Sequence, residues 1–403
     1  MKKLITFLCF ALAVAASAAP SRAQTAPVKI KTGVEVFVAN PPAIVKGKRI
    51  GLITNQSGQD HAGTATIDLI RALKDVQLVA LFSPEHGIRG VAEARVASST
   101  DEKTGLPIHS LYGETYKPTP EMLKDVDVLV YDIEDIGVRQ YTYESTLTHA
   151  LEAAAEKKIP IVVLDRPNPV SGRIMEGNIL EPGFESFVGI HQVLSRHGMT
   201  LGELARMYNA EYKIGADLTV VPVQGWTRNM WRDQTDLPWV NPSPNIRSVN
   251  QALLYAGVGL LEATNLSVGR GTDWPFEVIG APWIEPNGLA GALNALGLPG
   301  VTFEPLSFTP TSDVYTRVAC GGIRIVVTDR EAARPVAMGL AMARVLRERY
   351  RDQFKPEAIQ NLLVNRSTMW AFLRGDPLPR VMAWAEMARA SFLNRRASYL
   401  IYR

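Results

Sequence analysis

The sequence predicts an α/β fold: a Rossmann-like, doubly wound, mostly parallel sheet with a smaller α+β C-terminal domain. Uninterrupted apolar runs carry the first part of that prediction: KRIGLIT (48–54), VQLVALF (76–82), VDVLVYDI (126–133) and IPIVVLD (159–165). Such runs suit parallel strands buried on both faces, and helix-like stretches separate them. The second observation lies at the C-terminal end of each run. TNQSG (54–58), SPEHGIRG (83–90), DIEDIGVRQYTY (132–143) and DRPNP (165–169) bring polar and turn-forming residues to the strand ends. Open α/β sheets bind ligands beyond the carboxyl ends of their strands, so this edge is the candidate site.

Between and beyond these strands, a helix is expected over 66–74, a short edge strand at LPIHSLY (106–112), and a helix over 143–158. Another helix covers 201–209, and a passage rich in Trp and Pro runs from 221 to 244. Beyond it, 250–262 reads as helix and 314–329 as strand, with helices near 330–350, 356–364 and 378–389. The expected organisation is a signal peptide over 1–23, a Rossmann-like domain over 24–245 carrying most catalytic residues, and a C-terminal domain over 246–403 that closes the cleft.

Lys2 and Lys3 precede an apolar run from Leu4 to Ala16, with Ser21 and Ala23 placed for cleavage before Gln24. That is the pattern of a secretory signal, and the run is too short for a spanning anchor. The expected location is therefore periplasmic or secreted. Cleavage removes Lys2, Lys3 and Arg22, leaving 40 basic and 40 acidic residues. Net charge then implies neither nucleic acid nor an anionic membrane as partner. Only Cys320 would remain, which excludes an intrachain disulfide.

Within SPEHGIRG, Glu85 and His86 stand at a strand end, where a carboxyl in a partly apolar crevice can serve as a general acid. The alternative is a turn whose acid and imidazole hold neighbouring loops. DIEDIGVRQYTY gathers Asp132, Glu134, Asp135, Arg139, Tyr141 and Tyr143, a set that suits a polyhydroxylated ligand, although an internal ion pair of Arg139 would also explain it. Asn55 in TNQSG, and Asp165 and Asn168 in the rigid DRPNP turn, are further candidates to touch a ligand; Asp and Asn also satisfy turns. Glu176 is a carboxylate just downstream that could line the crevice. In GRGT (269–272), Arg270 could recognise a carboxylate or hold a domain interface, and Thr272 is a candidate contact beside it.

Nucleotide binding lacks support, because neither GxGxxG after the first strand nor GxxxxGK[ST] occurs. There is no HExxH and no GxSxG. A metal at Glu85, His86, Asp132 and Glu134 is imaginable, but the expectation is no metal and no cofactor.

GLITNQSG (51–58), LFSPEHGIRG (81–90), DIEDIGVRQYTY (132–143), LDRPNP (164–169) and GRGTDWPFEVIGAPW (269–283) together resemble the exo-β-N-acetylmuramidase family of glycoside hydrolases, long catalogued as a domain of unknown function. The final RRASYLIYR is also in character. The resemblance implies a cleft between the two domains and hydrolysis of terminal, non-reducing β-linked N-acetylmuramic acid from peptidoglycan fragments. On the usual two-carboxylate logic, Glu85 protonates the glycosidic oxygen and His86 orients it. Glu134 or Glu176, with Asp132 behind them, supplies the second carboxylate, unless the sugar's own acetamido group is the nucleophile. Arg139 or Arg270 would meet the lactyl carboxylate. The competing functions are a periplasmic muropeptide-binding protein and a metal-dependent cell-wall amidase or peptidase.

Overall fold

A computed structural model describes residues 27–90 and 97–403. The signal-peptide expectation over 1–23 lies outside the described residues. The large sheet is built from β1 (Lys48–Thr54), β2 (Val76–Ser83), β3 (Ser99–Thr100), β4 (Pro107–Ser110), β5 (Val128–Asp132), β6 (Ile161–Leu164) and β9 (Leu218–Val221). Its order is β3-β4-β2-β1-β5-β6-β9, and only the β3–β4 pair is antiparallel. Counted among the parallel strands alone, this is the 3-2-1-4-5-6 order of a doubly wound sheet, with its switch point between β1 and β5.

Register brings the strand ends level. Ile53 pairs with Phe82 of β2 and Tyr131 of β5, and Tyr131 pairs with Val163 of β6. The loops beginning at residues 54, 83, 132 and 165 therefore leave one edge side by side. Two apolar layers cover the faces. One contains Val34 and Phe37 of α1 (Gly33–Ala39) and Ile67 and Ile70 of α2 (Thr66–Arg71). The other contains α3 (Tyr143–Lys157) and α4 (Leu201–Glu211), and continues without a break into the C-terminal half.

Between α3 and α4, β7 (Glu176–Ile179) and β8 (Leu194–Arg196) form a small antiparallel pair. The C-terminal half holds α5 (Val249–Glu262), α6 (Pro286–Asn294), α7 (Pro335–Arg349) and a sheet in the order β10-β12-β11, with β10 at Val278–Ala281, β11 at Val301–Phe308 and β12 at Cys320–Val327. Helices α5 and α7 meet through glycine: a Cβ on Gly257 would lie 1.8 Å from the Pro335 carbonyl oxygen. Four short helices come last, α8 (Gln360–Leu363), α9 (Arg366–Arg374), α10 (Leu378–Glu386) and α11 (Arg389–Ala397).

The strand expected over 314–329 is shorter than its apolar pattern. Asp313, Tyr315 and Arg317 have φ of 66°, 63° and 60°, so the segment before Cys320 turns instead of extending. The chain end returns to the first domain, where the Tyr402 hydroxyl donates to Asp165 Oδ2 at 2.5 Å and Glu203 Oε1 accepts the Ile401 amide. No helix among the described residues is long and apolar enough to cross a membrane.

Candidate active site

The crevice at the β1/β5 switch point is filled by the chain itself. Thr54 Oγ1 donates to the Asp132 carbonyl at 2.8 Å, and Asn55 Nδ2 donates to the Tyr143 hydroxyl at 2.8 Å. That hydroxyl donates in turn to the Pro242 carbonyl. The open cleft lies to one side, over the loop after β2 and the start of α3. Glu85, His86, Gln140, Tyr141 and Thr142 line it from the first domain, and Tyr255, Glu262, Arg270, Phe276 and Asp313 from the second. Tyr112, Tyr116 and Phe187 add an aromatic wall. Its volume of about 590 Å³ is ample for one sugar with its substituents.

Local backbone explains how Glu85 reaches the cleft. His86, Gly87 and Gly90 all have positive φ (70°, 74° and 69°), so the loop turns sharply after Pro84. Gly90 suits its positive φ, and a Cβ there would also lie 2.0 Å from the end of the Gln56 side chain. Thr142 is the N-cap of α3, yet its side chain makes no cap bond. Its hydroxyl donates instead to Glu85 Oε2 at 2.5 Å. Glu85 thus sits beside the N-terminus of a 15-residue helix.

Across the cleft, Glu262 ends α5. Arg270 Nε donates to Glu262 Oε1 at 2.7 Å, with Asp313 Oδ2 3.7 Å from the same nitrogen. The guanidinium lies 5.2 Å from the centre of the Phe276 ring, which packs edge-on against Tyr255. Burial pushes the Glu262 carboxyl above the usual range; Arg270 opposes the rise, and the charges of Asp313 and Glu85 add to it. The cleft therefore sets Glu85, beside a helix N-terminus, opposite Glu262, whose carboxyl burial pushes above its usual range.

Of the thirteen residues expected at the site, Glu85, His86, Tyr141 and Arg270 line the cleft. The other nine are committed elsewhere, which corrects the expected roles. Glu134 is buried against Arg232, with Nε 3.1 Å from Oε1 and Nη2 3.2 Å from Oε2. Glu176 is buried, accepting the Ala337 amide at 2.9 Å. Neither faces the cleft as a second catalytic acid. Asp132 is gripped by Arg166 at 2.6 and 2.9 Å and by Thr66 at 2.5 Å. With Asp132 and Glu134 each holding an arginine, the imagined metal set with Glu85 and His86 is not assembled.

Arg139 is buried and donates to the backbone carbonyls of Asn178, Val193, Leu362 and Leu363, away from the cleft lining. Asp165 accepts from Thr200, the Gly202 amide and Tyr402. Asn168 bridges the Met199 carbonyl and the Val170 amide. Asn55 and Tyr143 hold each other as described, and Thr272 closes its own turn on the Gly269 carbonyl. Thr142 is a cleft residue that the sequence did not single out, although it lies inside the DIEDIGVRQYTY motif. Glu262 offered no motif, only a carboxylate at the end of a helix.

One further cluster, Asp135, Glu144 and His197, has donor atoms within 4.8 Å of one another. His197 Nδ1 accepts the Met199 amide at 3.1 Å, so Nε2 carries the proton and points at Glu144 Oε1, 3.0 Å away. No lone pair is left on that ring for a metal. Burial pushes Asp135 up to about 7.

The buried acids outside the cleft have measurable consequences. Glu134→Ala should strand the Arg232 charge and cost about 3–5 kcal/mol in urea unfolding. Folded protein should keep its activity; a large kcat loss without a stability loss would return Glu134 to catalysis. Glu176 gives an effect of pH. Burial lifts it to about 7, against the Ala337 amide and the Arg196 charge. The folded state then binds this proton more tightly than the unfolded chain. Its stabilising contribution is complete below the ordinary glutamate range and is lost as pH rises towards 7. Glu176→Gln should accordingly gain melting temperature relative to the parent between about pH 5 and pH 8. A gain that shrinks with pH would contradict the assignment.

Known proteins match the chain over nearly its whole length. The family described as "Exo-beta-N-acetylmuramidase NamZ, N-terminal" matches residues 50–250, and its C-terminal counterpart matches 253–402. A Bacillus subtilis (strain 168) protein named "Peptidoglycan beta-N-acetylmuramidase NamZ" is 45% identical, over 99% of this chain and 98% of that protein. Two crystal structures of DUF1343 family proteins from Bacteroides fragilis NCTC 9343 share the fold. They are 38% and 31% identical, with TM-scores of 0.87 and 0.76, each covering 93% of this chain and 99% of its own. By sequence over both halves and by fold, the chain belongs to the NamZ exo-β-N-acetylmuramidase family.

Proposed function

We propose that the protein is an exo-acting glycoside hydrolase that removes terminal, non-reducing β-linked N-acetylmuramic acid from peptidoglycan fragments. The observation that carries this reading is Glu85. In a chain matched over both halves by this family, the acid of SPEHGIRG stands in a cleft walled by both halves and by aromatic rings.

The geometry supports a division of labour different from the sequence expectation. Glu85, with a hydroxyl donor on Oε2 and the α3 N-terminus behind it, suits the charged partner at the anomeric carbon. Glu262, whose carboxyl burial pushes above its usual range against the opposing Arg270 charge, suits the acid that protonates the glycosidic oxygen. Proton delivery and charge stabilisation thus come from opposite walls. Arg270 keeps Glu262 in place and, being already paired, is less free to take a lactyl carboxylate than the sequence suggested. Release of para-nitrophenol from a para-nitrophenyl β-N-acetylmuramide by purified protein tests the reaction. A folded protein that binds the muramide and never releases the phenol would instead be a muropeptide-binding protein.

We also assign the protein to the periplasm or the exterior, on the strength of Lys2, Lys3 and the apolar run beyond them. Protein recovered from an extracytoplasmic fraction should begin at Gln24. Recovery of uncleaved chain from the cytoplasm alone would refute this.

A further inference from the structure

The cleft is graded in exposure. Around Glu262 and Arg270 its aromatic residues are buried: Phe276 is 1% exposed, Tyr141 7% and Tyr255 8%. The other wall is open, with Tyr116 39% exposed and Tyr112 and Phe187 half-buried. These three rings form one continuous surface. Tyr116 stacks on Phe187 with centroids 4.2 Å apart and planes 28° apart, and Tyr112 meets them at 5.8 and 5.9 Å. His149 of α3 lies parallel to Phe187, at 9° and 6.2 Å.

Three separate segments meet here: the loop after β4, the 181–190 loop and α3. The surface is braced from outside, since Lys117, next to Tyr116, bonds Glu156 of α3 at 2.8 Å, and His149 Nδ1 lies 3.1 Å from Glu152. Leaving the Tyr116 ring exposed forgoes burial, and an aromatic surface open on one side of a polar cleft offers the C–H face of a pyranose an apolar partner. An enzyme that takes a terminal sugar into the buried end must let the rest of the glycan leave through the open end.

We propose that Tyr112, Tyr116 and Phe187 form a stacking subsite for the leaving-group side of the glycan, taking a hexosamine ring adjacent to the bond that is cut. This rests on the exo-glycosidase reading. The test compares a disaccharide of β-N-acetylmuramic acid linked to N-acetylglucosamine with the methyl β-muramide, which has no leaving-group sugar. Tyr116→Ala and Phe187→Ala should raise KM for the disaccharide about tenfold with kcat nearly unchanged, the signature of lost uniform binding. The methyl glycoside should change less than about twofold, and Tyr116→Phe should restore the disaccharide KM, because stacking needs the ring and not the hydroxyl.

Unchanged disaccharide kinetics in both alanine variants, or an equal rise for both substrates, would overturn the subsite while leaving the hydrolase reading intact. A parent protein that cleaves neither substrate would count against the hydrolase reading. Titration with a β-1,4-linked N-acetylglucosamine trimer, read by calorimetry, needs no turnover: binding by the parent and loss in Tyr116→Ala supports the subsite, and equal binding or none by the parent overturns it.

Discussion

Glu85→Gln is expected to lower kcat by about 10³-fold on every substrate while the protein stays folded. The amide keeps the shape and still accepts the Thr142 hydroxyl, but it cannot carry charge at the anomeric carbon or take a proton. Because that role precedes any question of leaving group, a para-nitrophenyl muramide and a disaccharide should suffer alike. Thr142→Val should act in the same direction and less severely, by roughly tenfold, with Thr142→Ser restoring activity through its hydroxyl. Steady-state kinetics on the two substrates, with circular dichroism as the folding control, reads all of this. Near-parent activity of Glu85→Gln would remove Glu85 from the chemistry.

The second large effect is selective. Glu262→Gln should reduce kcat on the disaccharide by about 10²-fold or more, since a sugar alkoxide cannot leave without a proton. The para-nitrophenyl substrate should be spared most of that loss, because its phenolate leaves unprotonated near neutral pH. Glutamine still offers Oε1 to Arg270, so the change tests proton donation more than packing. In the parent, the disaccharide rate should fall as pH rises through the Glu262 pKa. Arg270→Gln should move that limb to higher pH, because the guanidinium opposes the rise that burial imposes on Glu262. Equal losses on both substrates would make Glu262 a structural partner of Arg270 and no more.

The central parallel strands were legible because they are buried on both faces, and that leaves an unbroken apolar run such as VLVYD in β5. The sheet's far edge was not. β9 is only half-buried over Leu218–Val220 and lies just ahead of the Trp- and Pro-rich passage, in a stretch that showed no strand pattern. β11 carries Pro305 and alternates exposed with buried residues, so its apolar content is diluted. β7 and β8 are four and three residues long and gave no periodic signal.

The edge carrying the site was readable for the same reason as the strands, and Glu85 and His86 came with it. What sequence could not reveal was which polar residues already had partners. Glu134 is neutralised by an arginine 98 positions later, and Asp132 by one 34 positions later. Asp165 is met by Tyr402, 237 positions away, which gives the RRASYLIYR ending a structural purpose. A motif rich in carboxylates looks catalytic until folding spends them. Glu262 shows the converse: an unremarked acid becomes a candidate because α5 ends at the cleft and Arg270 holds it there.

Exo-muramidase action at this cleft is tested most directly by the product formed from a wall oligosaccharide that ends in N-acetylmuramic acid and has its opposite end reduced with borohydride. Mass spectrometry should show one free N-acetylmuramic acid and a chain shortened by that single residue, with the reduced end intact. Internal cleavage into larger fragments, or release from the reduced end, would contradict exo-muramidase action.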